Sequence, residues 1–228
     1  MEIHGFNKTT LLDYPEHVAA TIFTGGCNFR CPFCQNGGLV LRPGEQAVVT
    51  EEEVLAHLKR RQGILDGLCI TGGEPTLQPD LEEFIRRVKE LGYLVKLDTN
   101  GYRPEVLGKL LERGMLDYVA MDVKASRENY ACVAGLSAKK GAFDIAKVEE
   151  SVELLKNSGI PYEFRTTAVK GLHSVAEFDA IGQWLAGSRV YFIQSYRDDG
   201  EILGTARGIL TECPDMDGFS AEELQEAA

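Results

Sequence analysis

The sequence predicts an α/β fold in which short parallel strands alternate with amphipathic helices around one core. Three observations carry this. Six short, β-branched apolar runs recur along the chain, and longer segments with helical spacing separate them. The first four runs end in GGCNFRC, GGEP, TNG and DVK, polar or glycine-rich segments at the carboxyl edge. Open doubly wound sheets and (β/α) barrels both bind ligands at that edge, so a site is expected there in either architecture. With 228 residues, 44% of them hydrophobic and 26% charged, the chain has material for a full core and the composition of neither a disordered nor a fibrous protein.

In chain order, the first strand is Val18 to Thr24, ending in the Gly25-Gly26 pair. Thr50 with Glu53 forms a capping box that opens a helix to about Gln62. The strand Gly67 to Thr71 follows, then a helix over Leu81 to Leu91 that Gly92 stops. Tyr93 to Asp98, Asp117 to Val123, Tyr162 to Val169 and Arg189 to Ser195 complete the strands. Pro104 to Glu112, Lys147 to Ser158, and a segment capped by Ser174 with Glu177 and running to about Leu185 are the helices between them. No repeat, low-complexity tract or linker divides the series, so residues 1–203 read as one domain. Residues 204–228 read as an acidic tail, with 221–228 a frayed helix.

Charge and cysteine placement narrow the function. Lys plus Arg number 24 against 35 Asp plus Glu, a net charge of −11, which argues against nucleic-acid or anionic-membrane partners. The start MEIHGFNKTT lacks the pattern of a secretory leader, and no uncharged apolar run approaches the roughly 18 residues of a membrane span. Cys27, Cys31 and Cys34 sit together, whereas Cys69 lies inside a strand and Cys132 and Cys213 fall singly in loops. That is not a disulfide scaffold, and a reducing cytoplasm is the expected location.

CNFRCPFC places three thiols at i, i+4 and i+7, a spacing that lets them converge on one object. Thiolates are soft ligands for zinc or iron–sulfur centres. A closed zinc site wants a fourth ligand, from a distant cysteine or histidine; without one, a cluster keeps an iron open for substrate. Downstream, Gly72-Gly73 permits close backbone approach, and Glu74 supplies a carboxylate acceptor for a ligand ammonium. Asp98 and Asp122, at neighbouring strand ends, are oxygen donors for a shared hard cation together with Thr99, and Lys124 is a point charge for a carboxylate.

TGGCNFRCPFCQN, with its CxxxCxxC and an aromatic residue before the last cysteine, resembles the signature of the radical S-adenosylmethionine (radical SAM) superfamily. The resemblance implies a partial (β/α)6 TIM-like barrel. It implies that Cys27, Cys31 and Cys34 hold a 4Fe-4S cluster whose open iron is chelated by S-adenosylmethionine, the source of a 5′-deoxyadenosyl radical on reduction. It further implies cofactor contacts from Asn36, from the glycine-rich Gly72, Gly73 and Glu74, and from Thr99, Asn100 and Lys124. Phe33 is placed to lie against adenine. Arg165 is placed to reach the ribose or the methionine carboxylate, with a structural ion pair as its alternative. His4, His57 and His173 read as solvated or structural.

Within that superfamily, GFNKTTLLDYPEHVAATIFTGGCNFRCPFCQN and the compact length resemble the activating proteins of glycyl-radical enzymes, closest to those of anaerobic, class III ribonucleoside-triphosphate reductase. That implies hydrogen abstraction from a glycine Cα of a partner enzyme, electrons from reduced flavodoxin or ferredoxin, and a monovalent cation between Asp98 and Asp122 beside the cofactor. Gln35 departs from the histidine many such activases carry after the third cysteine. The competing expectation is a radical SAM enzyme acting on a small molecule or peptide, similar to 7-carboxy-7-deazaguanine synthase.

Overall fold

A computed structural model describes residues 1–136, 143–198, 202–205 and 216–226. Six strands run parallel in sequence order: β2 (Ala19–Thr24), β3 (Gly67–Gly72), β4 (Leu94–Thr99), β5 (Tyr118–Asp122), β6 (Tyr162–Lys170) and β7 (Tyr191–Ser195). Between them lie α1 (Gly37–Leu41) and α2 (Glu51–Arg60), α3 (Leu81–Glu90), α4 (Pro104–Glu112), α5 (Tyr130–Val133) and α6 (Ile145–Asn157), and α7 (Val175–Trp184). Strand β1 (Ile3–Thr10) pairs antiparallel with β2, so β1 and β7 are the two ends of a curved, unclosed sheet. This is the partial barrel that the family resemblance implies, where the strand pattern alone leaves an open doubly wound sheet as the alternative, with one strand added ahead of the first expected one.

Alternation along the strands sorts the residues by face. Ala20, Ile22, Leu68, Ile70, Val95, Leu97, Val119, Met121 and Phe164 are buried and belong to one apolar cluster with Val54, Leu58, Phe84, Ile85, Leu107 and Val148 of the helices. The opposite face is polar. Its parallel register aligns Thr21, Cys69, Lys96 and Tyr118 in one row, and Asp122, Arg165 and Phe192 in another. The helices therefore bury one side of each strand, and the inside of the barrel is lined by groups that need partners of their own.

Thr50 and Glu53 cap α2 reciprocally, as expected. Two expectations change. Ser174 precedes α7 without a side-chain capping hydrogen bond, and the Glu177 carboxylate accepts instead from the Ser126 N–H and the Asn129 amide. Among the described residues beyond 205, β8 (Asp217–Gly218) pairs with the end of β6, and α8 (Ala221–Glu226) begins with a Ser220/Glu223 box and an ion pair from Glu223 to Lys170 at 2.8 Å. Cys132 sits in α5 rather than in a loop, and Cys213 lies outside the described residues. Among the described residues no helix is long and apolar enough to cross a membrane.

Candidate active site

Every predicted site residue from Cys27 to Arg165 lines one pocket at the carboxyl edge of the sheet, about 870 Å³ including its open mouth.

The cysteine loop leaves β2 through Gly26 and is fixed from three sides. Gly26 N–H donates to Leu39 O at 2.9 Å, and Arg30 N–H donates to Ala134 O at 2.9 Å just beyond α5. Leu203 and Gly204 donate their backbone N–H groups to Cys34 O and Pro32 O at 2.9 and 2.8 Å. Gly135 has φ +70°, and a Cβ there would stand 2.0 Å from Arg30 O, so the Arg30 contact requires glycine. The Arg30 guanidinium in turn donates to Cys27 O and Phe29 O at 2.6 and 2.7 Å. Phe29 packs between Tyr102, Tyr130 and Phe143.

Burial pushes the Cys27 and Cys31 thiols up to about 12. Burial also raises Cys34, opposed by the Asn36 backbone and by Lys124. Thiols this far from ionising become ligands only when a metal supplies the compensating positive charge. Three soft donors on one loop, facing a pocket with room for a further ligand, fit an iron–sulfur cluster with an open coordination position. Among the described residues no group of three or more His, Cys, Asp or Glu side chains is arranged to hold a single metal ion.

The GGEP turn is locked against the loop. Gly72 has φ +120°, and a Cβ on Gly73 would stand 1.9 Å from Gly26 O. Glu74 N–H donates to Gly26 O at 2.8 Å, and the Asn36 amide donates to Gly72 O at 3.0 Å. The Glu74 carboxylate is buried and already engaged. Oε1 accepts from Thr76 N–H, Thr76 Oγ1 and Thr99 Oγ1, and Oε2 accepts from Asn100 N–H at 2.7 Å. Its acceptor capacity for a ligand is therefore concentrated on Oε2.

Below the loop an ion-pair network crosses three strands. Arg165 Nε lies 3.0 Å from Asp122 Oδ1, and its Nη atoms lie 3.4 Å from Asp98 Oδ2 and 3.7 Å from Glu163 Oε1. Lys124 Nζ contacts Asp122 Oδ2 at 2.9 Å, and Lys96 Nζ contacts Asp98 Oδ1. Burial alone would raise the Asp122 carboxyl, but Lys124 and Arg165 hold it well below the usual carboxylate range. Arg165 thus takes the ion-pair role that stood as its alternative, while still lining the pocket.

Phe33 is buried, with Lys124 Nζ 5.9 Å from its ring centroid. Gln35 donates its side-chain amide to Arg197 O at 2.8 Å and ties the loop to the segment after β7. His173 accepts from Val169 N–H at Nδ1, which leaves Nε2 as the donor to Lys124 O at 2.8 Å, a structural role as expected. The sequence does not point to Phe29, Val40, Thr71, Thr167 and Leu203, which also line the pocket. Strand alternation alone could have marked the two threonines; nothing local marks Leu203.

The fold and the three-thiol loop define an α/β domain that presents a cysteine-held centre to an adjoining ligand pocket. This chain belongs to the radical SAM superfamily, whose family profile matches residues 21–181. Membership implies a 4Fe-4S cluster and S-adenosylmethionine. A Methanocaldococcus jannaschii protein provisionally named as a glycyl-radical enzyme activating enzyme is 33% identical over 196 residues, 85% of this chain and 79% of that protein. A Saccharolobus solfataricus protein provisionally named as a GTP 3′,8-cyclase is 33% identical over 145 residues, 59% of this chain but only 46% of its own length. Among solved structures, Streptococcus suis SuiB bound to S-adenosylmethionine shares the fold at TM-score 0.58 and 14% identity, over 78% of this chain and 40% of that one.

Proposed function

We propose that this protein is an activating enzyme that generates a glycyl radical on a partner enzyme, with anaerobic ribonucleoside-triphosphate reductase as the expected partner. The observation that carries this reading is the convergence of Cys27, Cys31 and Cys34 with the Gly72–Glu74 turn and Lys124 on one pocket of an unclosed sheet. The M. jannaschii relative supports it through its name and its match over most of both chains.

When bound, the cluster and S-adenosylmethionine would supply one-electron reductive cleavage of the sulfonium, and with it the capacity to take a hydrogen atom from a glycine Cα. The chain's own residues position and enclose. The three thiols anchor the cluster, and the backbone of Gly72–Gly73 allows close approach of the methionine portion. Glu74 Oε2 and Thr99 bound that side, Lys124 offers its charge to the carboxylate, and Phe33 offers an apolar face to adenine. Asp98 and Asp122 lie at the edge where the related activases hold a monovalent cation. No acid or base is required at the target carbon, so orientation of the glycine is the main demand on the protein. Reduced flavodoxin or ferredoxin is the expected donor, in the cytoplasm.

The test is anaerobic reconstitution followed by mixing with the glycyl-radical enzymes of the same organism. The reading predicts one 4Fe-4S cluster, reductive formation of 5′-deoxyadenosine and methionine, and a glycyl-radical signal by electron paramagnetic resonance with one partner. Cys31→Ala should lose both cluster and turnover, and Cys132→Ala should keep both. Turnover of GTP or a peptide with no radical on any partner would replace this reading with the small-molecule or peptide alternative.

A further inference from the structure

Lys96 is a buried cation on the inner face of the barrel that the chemistry above does not use. Its side chain is 2% exposed, and its Nζ contacts Asp98 Oδ1. That ammonium also meets the Cys69 thiol, with Sγ at 4.0 Å, and the face of Tyr118, with the ring centroid at 5.8 Å. Neither carries a charge that would replace Asp98. The strand register fixes this arrangement, since Cys69, Lys96 and Tyr118 are direct partners across β3, β4 and β5.

Asp98 is also one of the two carboxylates expected to share a free monovalent cation with Asp122. Both are already neutralised from within the chain: Asp98 by Lys96 and Arg165, Asp122 by Lys124 and Arg165. With Glu163, paired to Arg165, the network holds three carboxylates and three permanent cations. A sodium or potassium ion at Asp98 would share a carboxylate that Lys96 already holds on Oδ1 and Arg165 approaches on Oδ2, and could take the Oδ1 position only by displacing the Lys96 ammonium, whose side chain is 2% exposed. Displacement would strand a buried charge, the arrangement that protein interiors tolerate least.

We propose that the Lys96 ammonium is a tethered replacement for the monovalent cation of this site. It carries the same unit charge, seeks the same oxygen ligands and holds Asp98 in place from below, so cofactor binding needs no external sodium or potassium. Lys96 is a positioning residue acting through Asp98. The inference rests on the reading that S-adenosylmethionine occupies this pocket.

The test measures S-adenosylmethionine affinity of the cluster-loaded protein in tetramethylammonium, sodium and potassium chloride at equal ionic strength, together with the melting midpoint of cofactor-free protein in the same salts. Wild-type affinity should vary by less than about twofold among them, whereas Lys96→Gln should lose about tenfold or more in tetramethylammonium and recover most of it in sodium or potassium. The melting midpoint should respond to the small cations only in the variant. A wild-type affinity that requires sodium or potassium overturns the proposal, as does a Lys96→Gln protein whose affinity is either unchanged or lost without rescue. If Lys96→Gln does not fold, the wild-type salt series decides. If S-adenosylmethionine binds in no salt, the proposed function falls, and the melting comparison still decides the role of Lys96.

Discussion

Glu74 Oε2 accepts the backbone N–H of Asn100 at 2.7 Å, and this single buried carboxylate joins the turn after β3 to the turn after β4. The bond explains why GGEP and DTNG act as one unit although 25 residues separate Glu74 from Thr99. Glu74→Ala would leave four donors without their acceptor. It should cost about 2–4 kcal/mol in urea unfolding and weaken cofactor binding, since each buried donor left unpaired is expensive. Glu74→Gln keeps the shape and part of the acceptor capacity, so it should cost less. Equal stability of all three proteins would mean that the two turns are held by something else.

Gly73 sits where the GGEP turn meets the cysteine loop. A Cβ would approach Gly26 O to 1.9 Å, and backbone on both sides leaves no flexible side chain to yield. Gly73→Ala should therefore push the two segments apart and reduce S-adenosylmethionine binding by about tenfold or more, measured by equilibrium binding. Gly182→Ala is the control, because that helical position meets nothing within 4 Å.

Glu177 sets a pH dependence. Burial alone would raise its carboxyl, but the Ser126 backbone N–H, with the Asn129 amide at 2.6 Å, holds it below its ordinary value of 4.5. A carboxyl lowered in the folded state adds stability that is complete above the unfolded pKa and disappears as pH falls through the lower folded value. Glu177→Gln should thus lose about 1–3 kcal/mol at pH 7 and show a flatter stability profile between about pH 5 and 3 than wild type. Parallel urea-unfolding profiles for the two proteins would contradict the assignment. The segment at stake follows directly on Lys124, so the same variant should also weaken cofactor binding modestly.

The parallel strands were legible because β2 to β6 each carry buried apolar residues and β7 sets half-buried Tyr191 and Ile193 against the core, and the site was legible because Cys27–Cys34, Gly72–Glu74 and Asp98–Asn100 each lie at or just beyond the carboxyl end of a strand. Strand β1 was missed for a physical reason. IHGFNKTT is partly exposed, and its pairing with β2 has register shifts on both sides of Gly5–Asn7, which breaks the simple alternation. Helices α1 and α5, of five and four residues, are too short for a helical period to emerge. Leu203 reaches the site through its backbone, and a backbone donor leaves no trace in residue type. Lys96 was invisible as well, because nothing in YLVKLD tells a lysine facing solvent from one turned inward onto Asp98.

The central claim is that hydrogen moves from a glycine of a partner protein to the cofactor in this pocket. Its most direct test is to prepare the partner glycyl-radical enzyme with glycine deuterated at Cα, mix it with the reduced, cluster-loaded protein and S-adenosylmethionine, and analyse the 5′-deoxyadenosine by mass spectrometry. The account predicts deuterium in the 5′-deoxyadenosine, together with a glycyl-radical signal on the partner. 5′-Deoxyadenosine formed without deuterium, and with no radical on the partner, would contradict it.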